Sequence, residues 1–531
     1  MYESNNAASS GNVVSFSNTK EDGPACYDLI PFGDASCELR YAIEKVRRKV
    51  PAEKDANGQL LPMDPLGSIA LGGRSDGGDI DTSIYVWIED EMGSRWQVQT
   101  MPELRADAQK WLRLNAPDEV SGSRPKSCIE TMVDLLVGQG RYLHRDDSLS
   151  LVPLRNAYLI IENDGNLRAV APDKSYCIDY VIQADLDWSR VDPKTGSYTP
   201  LAAAPDSYWH RYLTSTFVDK DTHDYTQEAL STVLLSRCYE KGVWLYGEGE
   251  NGKSVMLHIL RSLAPRHTQA IKMERLVKNQ FGTASLNGKR LITVSEMPSR
   301  LTKSMQDTLK GLISWDPTPC EKKGKDEFSF VPRAFWLFAT NHHPEVSNHE
   351  HGFWRKIETI PFTNRVNAED KILDLHKLIA KDAGEMAQVV DWLLFGAQCL
   401  TRNGGWRKEE DKPASVRKLM QQQRRDSDTV AAWLYDVELH FDQKVLSNKQ
   451  PIYQSYRMHT EDAGKHPISD VKFWQRMKEH FRADGFDHEG IQKTIGSGRP
   501  RCVNLRLEGI KPDFEVVGEN HVSMNESVMR K

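Results

Sequence analysis

Gly247-Glu248-Gly249-Glu250-Asn251-Gly252-Lys253-Ser254 is the stretch on which the fold of this chain turns. The apolar run Val243-Trp244-Leu245-Tyr246 precedes it, and the helical pattern Val255-Met256-Leu257-His258-Ile259-Leu260 follows. Strand, glycine-rich loop, Gly-Lys-Ser, helix is the order a phosphate-binding loop requires. Glycines let backbone N–H groups turn inward around an anion. Lys253 is placed to reach the β- and γ-phosphates of a nucleoside triphosphate, and Ser254 to ligate Mg²⁺. The helix that begins there adds the positive end of its dipole. A chance glycine-rich turn would need neither flank.

Working outward, the core is expected over residues 242–365. Three apolar runs, Val243–Tyr246, Leu291–Val294 and Phe335–Ala339, suit buried parallel strands, and each ends in polar residues. Ligand sites in open α/β sheets gather at that edge. Leu291–Val294 runs into Ser295-Glu296, and an acid at a strand tip suits polarising an attacking water. Asn341 follows the third run, where its amide suits a γ-phosphate or a positioned water; the plainer alternative is a turn-forming Asn before Pro344. Between these strands lie Lys310, Asp316 and the run Cys320-Glu321-Lys322-Lys323-Gly324-Lys325-Asp326-Glu327, which reads as a basic hairpin or, more blandly, a solvated turn. Gly352-Phe353-Trp354-Arg355-Lys356 then precedes a short strand, Ile357–Phe362.

Composition narrows the class. The chain has 531 residues, enough for three or four domains, with 27% charged and 39% hydrophobic residues, as in ordinary globular protein. No apolar run approaches the ~18 residues needed to span a bilayer, so no membrane partner is expected. The eight cysteines are scattered without a C-x-x-C pair, which argues against zinc ribbons and disulfide frameworks and fits a reducing cytoplasm. Net charge is −6, so nucleic acid would have to meet local basic patches.

The flanks carry weaker signals. Residues 1–25 are expected to be a disordered tail, polar and rich in Ser, Asn and Gly. An N-terminal domain of unknown role is expected over 26–124, with helices near Glu38–Val50 and Leu104–Leu114. Asp79-Ile80-Asp81 is its single Asp-x-Asp candidate for two-metal chemistry, and with no downstream partner motif it does not support an active primase. A further domain is expected over 125–205, with a helix at Ser127–Val137, a strand over Leu151–Ile161 and a hairpin turn at Asn163-Asp164-Gly165-Asn166. Glu385–Leu400 reads as a helix closing the core, and residues 407–428 as a charged linker. The last region, 429–531, suggests a winged helix. It has helices at Ile452–Ala463 and Ser469–His480, then a hairpin around Gly496-Ser497-Gly498-Arg499-Pro500. Ser469–Arg506 holds eight Lys/Arg and five Asp/Glu, a local +3 in an acidic chain. Lys472, Arg476, Arg499 and Arg501 are the candidate DNA contacts; the bland alternative is a helical lid with a solvated face.

Together, Gly-x-Gly-x-Asn-Gly-Lys-Ser, apolar-x-Ser-Glu, Lys…Asp…Lys, Thr-Asn-x-x-Pro and Trp-Arg-basic…Pro-Phe, in that order within about 115 residues, resemble a superfamily 3 helicase of the poxvirus-type primase–helicases carried by phages, plasmids and mobile islands. Val152-Pro153-Leu154-Arg155-Asn156…Tyr158-Leu159 resembles the domain that precedes the helicase there. The resemblance implies an α/β fold: an AAA+ phosphate-loop core with a parallel sheet over 206–406. A mixed α+β N-terminal region would precede it and a winged-helix-like domain would follow. It implies ATP and Mg²⁺ as ligands, with Gly247, Glu248, Gly249, Glu250, Asn251, Gly252, Lys253 and Ser254 forming the loop. Ser254 and Glu296 would serve the metal, and Asn341 the polar sensor. Lys322, Lys323 and Lys325 would line a ring's pore, and Arg355 would be an arginine finger acting on a neighbouring copy. The family often has Arg-Arg where this chain has Arg355-Lys356, and the planar fork of arginine favours Arg355 over Lys356. Expected partners are single-stranded and forked DNA, further copies of the chain in a hexamer, and replication proteins of the host or element, in a bacterial cytoplasm. The rival is a regulatory or defence ATPase that reads DNA without unwinding it.

Overall fold

The computed structural model describes residues 35–46, 68–74, 80–144, 149–278, 282–321, 328–342, 344–346, 351–367, 369, 371–442, 445–481, 491–492, 501–507, 514–516 and 522–524. The tail expected over 1–25, Asp79, Lys322, Lys323, Lys325 and Arg499 lie outside them. The chain forms two compact units. The first runs to Asp90 and takes in Ser94–Asp146 and Asp173–Asp179; the second holds Glu91–Gly93, Asp147–Pro172 and the chain from Tyr180 on.

In the first unit, helices Cys37–Val46, Met101–Asn115 and Arg124–Gly138 share a core with an antiparallel sheet of Ile69–Arg74, Ile80–Ile88 and Arg95–Val98. Tyr41, Leu71, Ile84, Leu112, Met132 and Leu136 fill it. The helix Met101–Asn115 opens with a capping box in which Thr100 and Glu103 satisfy each other's backbone N–H groups. Ile80 opens the middle strand, and Asp81 sits opposite Gly73 in its ladder.

The second unit begins with an antiparallel sheet of Ser150–Pro153, Tyr158–Ile161, Leu167–Val170 and Ser197–Tyr198. The strand read over Leu151–Ile161 is therefore two, and Asn163–Asn166 is the turn after the second, with Gly165 at φ +82°. Beyond it lies a five-stranded sheet with all four pairings parallel. Its order is Ile357–Pro361, Gly242–Tyr246, Phe335–Thr340, Leu291–Val294, Thr268–Ala270. The three central strands bury Val243, Trp244, Leu245, Ile292, Val294, Leu337 and Phe338 almost completely, which is why they read as unbroken apolar runs. No helix among the described residues is long and apolar enough to cross a membrane.

Residues 407–428, expected to be a linker, are largely helix, Ala414–Ser427. Its charges masked a buried stripe: Val416, Leu419, Met420 and Gln423 repeat at helical spacing and are buried. Just before it, Lys412 Nζ sits 2.8 Å from Glu358 in the edge strand, and both side chains are almost wholly buried. The C-terminal region packs helices Thr429–Asp436, Lys449–Asp462 and Asp470–His480 around Trp433, Tyr456 and Phe473, with the rings of the last two 4.7 Å apart. Short antiparallel strands follow, among them Ile491–Gln492 paired with Arg501–Val503, which closes the expected hairpin.

Candidate functional site

Register places the site at one edge of the parallel sheet. Tyr246 lies opposite Thr340 on one side and Pro361 on the other, and Val294 opposite Phe338. Gly247, Ser295-Glu296 and Asn341 therefore leave the sheet side by side, at the carboxyl ends where ligands of such sheets bind.

The loop is held by one backbone bond and one side-chain bond to the neighbouring strands' ends. Gly247 N–H donates to Thr340 O at 3.2 Å, and Asn251 Nδ2 donates to Phe362 O at 2.6 Å. A Cβ on Gly247 would fall 2.1 Å from both Asn251 Nδ2 and Phe362 O, so no other residue fits there. Gly252 has φ +84°, and a Cβ there would meet the Tyr212 ring at 2.9 Å and Thr216 Oγ1 at 3.0 Å. Glu250, a non-glycine, is also left-handed at φ +51°; such strain gathers at ligand sites. The helix Lys253–Leu263 starts directly after Gly252 with no side-chain cap, so its first N–H groups face the loop.

Lys253 is buried and its Nζ donates to Gly247 O at 2.5 Å and to Asn251 Oδ1 at 2.9 Å. Burial lowers the pKa of its ammonium below the ordinary lysine value. An anion in the loop would offer that charge better partners than two neutral oxygens. Ser254, Glu296 and Asn341 are exposed. All three, with Gly249–Lys253, line one cavity of about 1190 Å³.

Sequence reasoning missed the opposite wall. Helix Tyr208–Thr216 contributes Arg211, Tyr212, Thr214 and Ser215, and Val366, Glu369 and residues 371–376 contribute the rest. Tyr212 Oη donates to Gly252 O at 3.0 Å, bracing the loop from behind. The helix is anchored in turn by Glu385, whose carboxylate accepts from Tyr208 N at 2.9 Å and Trp209 N at 2.8 Å. Lys371 Nζ reaches Glu250 at 2.8 Å, Arg365 reaches Glu248 at 3.3 Å, and Val366 N–H donates to Glu250 O at 3.1 Å. No local pattern announces these contacts, because each joins residues more than a hundred positions apart except through Gly252.

Arg355, Lys472, Arg476 and Arg501 do not line this cavity. Arg355 is exposed and lies just before Ile357, which opposes Gly242 at the amino end of the loop strand. A five-residue strand is about 16 Å long, so the sheet separates Arg355 from its own loop. The strands Thr318–Cys320 and Phe328–Phe330 pair antiparallel, so the basic run 321–327 does lie between hairpin strands, although its lysines are outside the described residues. In the C-terminal region Lys472 and Arg501 are exposed. Arg476, a candidate DNA contact, has a side chain 17% exposed that pairs with Glu479 and, at 3.8 Å, with Asp428.

Residues 245–356 match the family described as "Family of unknown function (DUF5906)", well under half of the chain. No curated protein matches. Among solved structures, the A form apo structure of the NrS-1 C-terminal region is similar, with 12% identity, 70% of this chain and 98% of that chain covered, and a TM-score of 0.36. A second apo structure of that region gives 11% identity, the same coverage and a TM-score of 0.35. At these TM-scores the likeness carries no argument about fold or function.

Proposed function

We propose that this chain is an ATP-driven DNA helicase of superfamily 3 type, with an AAA+ core and a winged-helix-like C-terminal domain, serving replication of a phage, plasmid or mobile island. The observation that carries the reading is the meeting of Gly249–Ser254, Glu296 and Asn341 on one cavity wall at the carboxyl edge of a parallel sheet. Lys253 would exchange its two neutral acceptors for the β- and γ-phosphates. Glu296 would orient the attacking water, and Asn341 would hold the γ-phosphate or that water. No group of three His, Cys, Asp or Glu side chains that could hold a metal ion stands among the described residues. Mg²⁺ would therefore be held by the Ser254 hydroxyl with the nucleotide's own phosphates and water, and Glu296 nearby; bound there, it would offset phosphate charge. Arg355, on the far edge of the sheet, would serve the loop of an adjacent copy in a ring.

The test is strand displacement on forked DNA, with ATPase measured with and without single-stranded DNA. Lysines on a pore engage backbone phosphates without base preference. Changing Lys322, Lys323 and Lys325 together to Ala is therefore expected to abolish unwinding and DNA-stimulated turnover while basal ATPase persists. A wild-type chain that hydrolyses ATP yet never separates strands would sink the helicase reading and favour a regulatory ATPase.

A further inference from the structure

The phosphate loop occupies one end of the cavity, and the other end has a chemistry of its own. His376, Arg211, Thr214 and Ser215 line the same cavity. A triphosphate with its γ-phosphate toward Glu296 and Asn341 and its β-phosphate in the loop leaves its nucleoside to meet the remaining lining of this cavity, which includes His376.

Three observations mark the wall around His376 as built for a ligand. First, the wall is tied to the phosphate loop. The Glu250–Lys371 ion pair and the Val366 N–H to Glu250 O bond fasten the strap 366–376 to the loop, so the two ends of the cavity are spaced by direct contacts. Second, the backbone turns sharply just before His376. Asp374 has φ +54°, uncommon for a residue with a side chain, and it directs the chain into the helix Leu375–Lys381. Third, the His376 ring is braced. Its centroid lies 4.6 Å from that of His258, with the planes tilted by 39°. His258 Nδ1 is in turn 2.6 Å from Ser254 O, one helical turn back toward the loop. Burial, and secondarily the His258 ring, lower the His376 pKa below the ordinary histidine value, which favours a neutral imidazole. A neutral aromatic face suits a heterocyclic base. Leu373, 88% exposed, lines the same cavity.

We propose that His376, braced by His258, is the surface on which the base of the bound nucleoside triphosphate stacks. This rests on the phosphate-loop reading above and assigns the nucleoside end of the same site.

The test compares two ligands of similar charge, ATP and inorganic tripolyphosphate, which lacks base and sugar. Equilibrium binding of each, with Mg²⁺, is measured on the full chain and on His376→Ala, His376→Phe and Lys253→Ala. Base stacking on an aromatic side chain carries roughly a ten-fold effect on affinity. His376→Ala is expected to weaken ATP about ten-fold and leave tripolyphosphate unchanged. His376→Phe, which keeps a ring, should recover most of the loss. Equal weakening of both ligands, or unchanged ATP affinity in His376→Ala, overturns the assignment. If Lys253→Ala leaves both ligands bound as tightly as before, the phosphate-loop reading fails and takes this one with it. Weakening of both ligands by Lys253→Ala, with weakening of ATP alone by His376→Ala, supports both readings; weakening of both ligands by Lys253→Ala with no change in His376→Ala overturns only the base assignment.

Discussion

At the carboxyl ends of the parallel strands the chain supplies Gly247, Ser295-Glu296 and Asn341; just before their amino ends it supplies Lys241, Arg290, Arg333 and Lys356, with Arg355 beside the last. The first end is concave, with left-handed backbone at Gly249, Glu250 and Gly252 and a buried lysine bound only to neutral oxygens. The second end is cationic, and several of its charges are already engaged. Lys241 lies 3.2 Å from Glu358, Lys356 lies 2.9 Å from Glu240, and Arg290 stacks on the Tyr180 ring at 4.5 Å. One edge is shaped for an anion and the other presents cations, yet a strand's length keeps them apart within one chain. In the ring proposed above, a second copy set with its amino edge against the first copy's cavity would join them.

The largest expected effect lies at the concave edge. Lys253→Ala should reduce ATP hydrolysis to the level of a no-enzyme control while the melting temperature holds, since among the described residues the ammonium makes two hydrogen bonds, both to neutral oxygens. Turnover at the wild-type rate would show that the cavity is not the hydrolytic site. At the cationic edge, Arg355→Ala should cost roughly 10³-fold in turnover and leave ATP affinity nearly intact. Mixing it with Lys253→Ala should restore part of the activity, because some junctions then pair an intact loop with an intact Arg355. Absence of rescue in confirmed mixed assemblies would break the two-edge comparison at its centre.

The concave edge was largely legible in the sequence, and the cationic edge was less so. Val243–Tyr246, Leu291–Val294 and Phe335–Ala339 are apolar on both faces because both faces are covered, so periodicity and turn residues located them within a residue. Glycines at 247 and 252 are demanded by contacts a Cβ would destroy, and that demand shows as a motif. The straps from Arg365, Val366 and Lys371, the brace from Tyr212 and the pairing of Arg476 left no such mark, because each is a meeting of distant segments. Lys412 is the clearest case: a lysine in a charged run that reads as linker, yet its side chain is 4% exposed against Glu358, which also accepts from Tyr225 Oη at 2.6 Å. It clamps the edge strand that follows Arg355. Lys412→Ala leaves that buried carboxylate with one cation fewer and should destabilise the second unit by about 3 kcal/mol, read as a lower urea midpoint. A change within error would mean the clamp is replaceable and the cationic edge is held by packing alone.

The smallest expected effect is the most direct comparison of the two edges, because an exposed carboxylate paired with a lysine stands beside the key residues of each. Glu250 pairs with Lys371 on the cavity strap, and Glu240 pairs with Lys356 beside Arg355. The hydrogen bond from Lys371 lowers the Glu250 pKa below the ordinary 4.5, and Lys356, with a lesser push from Arg355, does the same for Glu240. A carboxylate with a depressed folded pKa stabilises the pair above its ordinary value and loses that contribution as pH falls through the lower folded value. Both pairs are therefore fully formed near neutral pH and open together on acidification. Exposed pairs are weak and screened by salt, so the consequences should be a few-fold at most and fade at high ionic strength. Glu250→Gln should loosen ATP binding by the single chain at pH 7, and the difference from wild type should vanish as the pH drops below the carboxylate range. Glu240→Gln should leave that affinity alone and alter only turnover in the assembly, because it frees Lys356 next to Arg355. Equal effects of the two exchanges on single-chain ATP affinity would mean that the edges are not chemically separate, and the argument for a second copy would lose its footing.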